Sequence, residues 1–393
     1  GSGAIFELQG TWSGLAVGDG SFFYGAISDG SGAPNTPDDS LDRGLFNARI
    51  PLTFIGGSAN IGATFHSFAG IELRNVQTRF NLNKPYLEFT GGATLDGPVT
   101  LDAGTSLRLL QPTWGGFDPR IFANVYRIGA AGGIHGPGEV RLLHSSLILN
   151  QDIDLARFRF ATQTYNILGG GGTGGSVPNT ISGPGNITVS EDFDWGSGPI
   201  TGPGKVTVLP SASLEITESQ EAPFLDGATL LNQGSGMVGD IRLGHGALFR
   251  NEGNITLENV RAATGGGRIE NAGTVLIPSA AGFGPRTIGV PLINTGLLRI
   301  DPVGGGLTDR LTFASLDNAG RLSIAAQSRL LQLEVLGDFV QRDSGTFHIE
   351  ISIIPSGAGL PRSGGTTVDG RATLAGTLEV HYVLIPPNAS PDR

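Results

Sequence analysis

The residues best suited to chemistry are Glu191-Asp192-Phe193-Asp194-Trp195. Side chains alternate along an extended chain, so Asp192 and Asp194 share one face if the strand begun at Ile187 continues. Paired carboxylates beside an aromatic ring suit a calcium ion or a sugar, or the acid/base pair of a glycosidase. A lone D-x-D is also a common solvated strand ending, and that plainer reading carries more weight. Trp114, in the irregular stretch Gln111-Pro112-Thr113-Trp114-Gly115-Gly116-Phe117, joins Asp192, Asp194 and Trp195 as a candidate ligand contact. Gln151-Asp152-Ile153-Asp154 has no aromatic neighbour, and Asp38, Asp39 and Asp42 sit in Gly/Pro-rich text that keeps a loop soluble.

Other chemistries find little support. His66, His135, His144, His245, His348 and His381 are scattered, with no i,i+4 pair and no cysteine partner, so no metal ligand is assigned and surface positions are expected for them. There is no Ser-centred nucleophile motif, and the run from Gly169 to Gly175 introduces no helix that would make it a phosphate cradle. Arg242, Arg250, Arg261 and Arg268 follow one another at intervals of 8, 11 and 7 residues, which need not place them in one column. No catalytic residue is assigned, and calcium is the one cofactor left open.

The elements that must position these residues are announced by a phrase that returns five times: Leu230-Leu231-Asn232-Gln233-Gly234, Phe249-Arg250-Asn251-Glu252-Gly253, Ile269-Glu270-Asn271-Ala272-Gly273, Leu292-Ile293-Asn294-Thr295-Gly296 and Leu316-Asp317-Asn318-Ala319-Gly320. Successive glycines are 19, 20, 23 and 24 residues apart, the length of a solenoid coil. Apolar residues alternate after the last four: Ile255/Leu257, Val275/Ile277, Leu298/Ile300 and Leu322/Ile324. Asn and Gly tolerate positive φ most cheaply, so the phrase is expected to be a left-handed corner opening a strand. If the coils stack, Asn251, Asn271, Asn294 and Asn318 must line up as a structural corner, their amides forming a ladder. Gly136-Pro137-Gly138, Gly183-Pro184-Gly185 and Gly202-Pro203-Gly204 are read as the same opening with Gly in place of Asn. The interval of 47 residues from Gly138 to Gly185 is then expected to hold two coils.

Composition agrees with repeated turns rather than with disorder. The 393 residues include Gly 64 and Pro 23 with 15% charged and 39% hydrophobic, and the apolar residues fall in short alternating runs. A net charge of −10 without a basic cluster argues against nucleic acid as a partner. The absence of cysteine fits an exported bacterial protein. No apolar run reaches the ~18 residues of a membrane span, so no membrane insertion by this segment is expected. Gly1-Ser2-Gly3 is read as a cloning remnant, and the missing initiator Met and signal peptide as marks of a processed or a cloned form.

Taken in order, residues 4–48 are read as an N-terminal cap and loop, 49–385 as the coils, and 386–393 as a linker or cloned end without the apolar pattern needed to cover a last coil. The stretches 111–126, 169–175 and 355–365 are expected to project as loops. The sequons at Asn186 and Asn254 open strands and are read as corners rather than glycan sites; a third stands at Asn388.

The stretch Thr367-Val368-Asp369-Gly370-Arg371-Ala372-Thr373-Leu374-Ala375-Gly376-Thr377-Leu378-Glu379-Val380 resembles the unit that closes β-solenoid segments in autotransporter-like and other large secreted bacterial surface proteins. The Asn-x-Gly coils look like passenger repeats of that group, and Gly10-Thr11-Trp12-Ser13-Gly14 is similar to the way such segments begin. The resemblance covers most of residues 10–385, and departs from a complete autotransporter in that these residues are not expected to include a membrane β-barrel. It implies a right-handed parallel β-helix and a place outside the cell or on its surface. The fold expected is therefore all-β, a right-handed parallel β-helix (β-solenoid) of about 15 coils with an N-terminal cap and protruding loops.

The function expected is a non-catalytic rigid stalk or adhesive surface of a bacterium, its partners being surface glycans or proteins of a host or neighbouring cell. The alternative is a polysaccharide lyase or glycoside hydrolase built on the same fold. The stalk is preferred because no column of carboxylates and arginines recurs at intervals of about 20 residues.

Overall fold

The computed structural model describes residues 5–8, 21–23, 45–48, 52–55, 58–61, 64–74, 86–89, 91–110, 124–160, 179–217, 222–262, 266–278, 286–301, 308–325, 330–353 and 365–384. Among them are strands and turns and no helix, and the strands pair in parallel. The architecture is a parallel β-helix, divided into two compact units, Gly1–Thr207 and Val208–Arg393. Trp114, Asp38, Asp39, Asp42, Asn388, the Gly169–Gly175 run and the tail from 386 lie outside the described residues, as does nearly all of the 355–365 loop.

In the first unit each coil turns through three sheet faces. Thr64–Ser67, Ala93–Leu95, Asn124–Ile128, Ser145–Leu149 and Thr180–Ser182 stack on one face. Ile71–Arg74, Pro98–Leu101 and the opening halves of Gly133–Leu143, Ile153–Phe160 and Ile187–Trp195 form the second. Tyr86–Phe89, Ser106–Leu110 and the closing halves of those long strands form the third. Within the stretch read as a cap, Ile5–Leu8 pairs with Leu45–Ala48, and Ser21–Phe23 with Ser58–Ile61, all in parallel.

Alternation decides which side chains are inside. On the third face Leu87, Leu107, Val140, Phe158 and Phe193 stack in register toward the core, as do Phe89, Leu109, Leu142, Phe160 and Trp195. All ten are fully buried, and each contributes roughly 1.5–3 kcal/mol by leaving water. A one-residue slip would turn both columns to solvent, so the apolar pattern locks the register of the outward residues as well.

The second unit repeats the three-faced plan. Strands beginning at Ser213, Ser235, Asn254, Thr274, Leu297, Arg321, Thr346 and Thr377 stack on one face. Just before that face, the strands ending in Asn232, Asn251, Asn271, Asn294, Asn318 and Gln341 stack on another.

The corner between those faces differs from the expected left-handed one. Among the described residues, the non-glycine positions with positive φ are His144 and His245; none of these asparagines is among them, nor are Gly234, Gly253, Gly273, Gly296 and Gly320. The glycines answer a demand for space instead. A Cβ on Gly253 would fall on the carbonyl oxygen of Gly234, one on Gly273 would meet that of Gly253, and the same holds for Gly296 and Gly320. The asparagines turn inward: Nδ2 of Asn232 donates to Oδ1 of Asn251 at 2.8 Å, and the chain runs on through Asn271 at 2.8 Å, Asn294 at 2.7 Å, Asn318 at 2.6 Å and Gln341 at 2.8 Å.

The Gly-Pro-Gly phrases are a separate solution. Gly136, Gly183 and Gly202 do hold positive φ, at 116°, 106° and 99°. They do not mark one equivalent corner, however. Gly136 bends the strand Gly133–Leu143 between the second and third faces, whereas Gly183 follows the first-face strand Thr180–Ser182 and precedes the second-face strand Ile187–Trp195. The interval from Gly138 to Gly185 thus joins different corners and does not measure coils.

Candidate functional site

Five strands of the first unit present their outward residues in two straight rungs. Tyr86, Ser106, Glu139, Arg157 and Asp192 occupy one, and Glu88, Arg108, Arg141, Arg159 and Asp194 the other, each in register with its neighbour one coil away. Parallel pairing sets those neighbours ~4.8 Å apart, close enough for every long side chain to reach the next coil. This is a column of carboxylates and arginines, and it overturns the expectation that no such column exists. The chain between coils varies in length, so the intervals down the second rung are 20, 33, 18 and 35 residues, which no fixed period reveals.

The charges pair within and across the rungs. Glu139 is the centre: Arg141 Nη2 lies 3.0 Å from one carboxylate oxygen and Arg159 Nε 3.2 Å from the other. Its side chain is 9% exposed, far below the usual solvation of a carboxylate on an outer face. Arg159 also approaches Asp192 at 3.9 Å, and Arg157 meets Glu191 at 2.9 Å. At the other end Arg108 lies 3.6 Å from Glu88, and its guanidinium sits 3.7 Å over the Tyr86 ring. Loss of water raises the Glu88 carboxyl above its ordinary value, an effect larger than the opposing attraction of Arg108. Arg108 Nε, Arg141 Nε and Ser106 Oγ are buried without a hydrogen-bond partner.

Asp192 and Asp194 stand where alternation put them, on the outer face, but beside arginines: Arg157 is in register with Asp192 and Arg159 with Asp194. Trp195 belongs to the opposite side. It is 0% exposed, stacks with Phe160 at 6.3 Å and donates its indole N–H to the Gly198 carbonyl at 3.1 Å, so its ring is unavailable to a ligand on the carboxylate face. Asp152 and Asp154 are spent on coil contacts, Asp152 accepting from Asn186 at 2.8 and 3.0 Å and Asp154 lying 3.4 Å from His135. Asn251, Asn271, Asn294 and Asn318 lie inside the ladder of the second unit.

In the second unit, Arg242 and Arg261 prove to be in register on neighbouring coils. Arg242 covers the Phe224 ring at 5.0 Å, and Arg261 pairs with the buried Asp240. Arg250 and Arg268 pair with Glu252 and Glu270 at 2.7 and 2.8 Å, leaving no shared arginine column there.

No protein-family model matches the chain, and no curated protein or solved structure is detectably similar to it.

Proposed function

We propose that the chain is an exported bacterial surface protein whose rigid β-helix offers the charged face of its first unit to glycans, binding them without turnover. The observation that carries this reading is Glu139 clamped on the outer face between Arg141 and Arg159 at 3.0 and 3.2 Å. Fixed guanidinium forks and carboxylates at coil intervals are an array of donors and acceptors that a hydroxyl-rich polymer can follow. The ten positions carry four arginines and four carboxylates, so recognition rests on hydrogen bonding to hydroxyls rather than on net charge. Packing holds the array: every outward residue is flanked in sequence by a buried apolar one.

A second reading is favoured by one specific observation, the raised carboxyl of Glu88 beside Arg108 and within the same array as Glu139. A carboxyl that burial makes a weaker acid, set near a second carboxyl group, is the kind of pair a glycoside hydrolase uses. Glu88 and Glu139 stand two coils apart on different rungs of the same face.

The deciding experiment exposes purified protein to a glycan array and to acidic and neutral polysaccharides, following reducing ends and unsaturated products. Binding without turnover, weakened about 10-fold or more by Arg159→Ala, is the expected result. Turnover abolished by Glu88→Gln would replace it with the hydrolytic reading. Neither binding nor turnover would remove both.

A further inference from the structure

The last two described coils of the second unit bring together histidines that are far apart in the chain. In the paired strands Thr346–Ile353 and Thr377–Leu384, His348 is in register with Glu379, and Glu350 with His381. Residues two apart on a strand share a face, so the four make a rectangle with histidine and glutamate at alternating corners. His348, expected at the surface, is only 6% exposed. Its Nδ1 lies 3.2 Å from Glu379 Oε2 and its Nε2 3.5 Å from Glu350 Oε1, while its ring centroid is 4.6 Å from that of His381.

We propose that His348, Glu379 and His381 form a binding site for a divalent cation of the zinc class. One ligand atom from each lies within 4.8 Å of the others. Bonds of about 2.0–2.1 Å to zinc would bring such atoms to roughly 3.3 Å, a closure that small rotations of the Glu379 and His381 side chains provide. Two imidazoles and a carboxylate are the donors of open zinc sites, leaving a fourth position for water or a further ligand. Glu350, against the other nitrogen of His348, would orient that ring as a carboxylate behind a ligating histidine does. Arg321, 3.1 Å from Glu379 Oε2, holds the same carboxylate. Nitrogen donors discriminate against calcium and magnesium, which demand an oxygen cage.

The test uses the chain without a polyhistidine tag, stripped with a chelator and titrated with zinc chloride by calorimetry and by melting. The expected result is one equivalent bound and a melting temperature that rises with zinc but not with equal calcium, since a ligand of the native state alone must stabilise it. His381→Ala, at an exposed position, should keep the metal-free melting temperature and lose zinc affinity by about 100-fold or more. Glu379→Gln should weaken binding in the same direction, while His135→Ala, in the first unit beside Asp154, should bind as the unaltered chain does. Absence of zinc binding, or undiminished affinity in His381→Ala, would overturn the assignment.

Discussion

Asn251 Nδ2 donates to Asn271 Oδ1 at 2.8 Å across one coil, and the two residues are 0% and 1% exposed. The same Nδ2 also reaches the Gly253 carbonyl at 3.1 Å and that of Thr274 at 3.0 Å, so one amide ties its own corner to the next. The ladder has a polarity. Asn232 Oδ1 at one end and Gln341 Nε2 at the other are the members without a partner.

Replacing a middle member should therefore cost more than replacing an end one. Asn271→Leu keeps the branched shape but deprives Asn294 Oδ1 of its donor and Asn251 Nδ2 of an acceptor, for an expected loss of about 3 kcal/mol. Asn232→Leu breaks a single rung and should cost about 1 kcal/mol. Denaturant unfolding of the two variants checks the order, and equal losses would mean that the ladder does not act as a chain of bonds.

The corner glycines separate two explanations of why glycine is there. Gly273 has no positive φ, but a Cβ would strike the Gly253 carbonyl; Gly246 has φ 75° with nothing within 4 Å of its Cβ. Gly273→Ala must push two coil backbones apart and is expected to cost about 3 kcal/mol, against about 1 kcal/mol for Gly246→Ala from conformational strain alone. A smaller loss at Gly273 than at Gly246 would restore positive φ as the reason.

What could be read in advance, and what could not, follows from where chain length varies. The Asn-x-Gly corner lies inside each coil, clear of the variable loops, so its recurrence survived and announced the fold. The phrase is equally compatible with positive φ and with close stacking, because both demands exclude a side chain at Gly273. Alternation placed Asp192 and Asp194 on one face, and the same alternation puts Phe193 and Trp195 on the other, so the burial of Trp195 was legible. Their arginine partners were not: Arg157 and Asp192 are 35 residues apart in the chain and adjacent in the sheet. The meeting of His348 with His381 was hidden in the same way.

Glu88 supplies a test of the face through pH. Its carboxyl is raised chiefly by desolvation, with Arg108 opposing, so the folded state holds its proton to higher pH than the unfolded state does. The stability tied to that proton is present below the unfolded value and fades as pH rises through the folded one. Glu88→Gln keeps a neutral group at all pH values, so the variant should gain stability relative to the parent as pH rises above the ordinary glutamate value. Melting curves across that range check it. A difference that shrinks or reverses toward pH 7 would mean that attraction by Arg108 outweighs burial.

Asp192 and Asp194 were the sharpest cluster in the sequence, and their surroundings now set an expectation for calcium. A calcium site gathers six to eight oxygens and little positive charge. Here Arg159 lies 3.9 Å from Asp192, Arg157 and Arg159 are the in-register neighbours of the two carboxylates, and Arg157 is engaged with Glu191 at 2.9 Å. Two guanidinium groups on the adjacent coil already supply the countercharge, and a dication would have to displace them. Millimolar calcium should leave the melting temperature unchanged, and Asp192→Asn should respond as the parent does. The exposed pair itself carries little stability, so Glu191→Gln is expected to shift unfolding by under about 1 kcal/mol. A rise in melting temperature with calcium that Asp192→Asn abolishes would show the arginines yielding to the ion, and would reassign the outer rungs from hydroxyl recognition to cation binding.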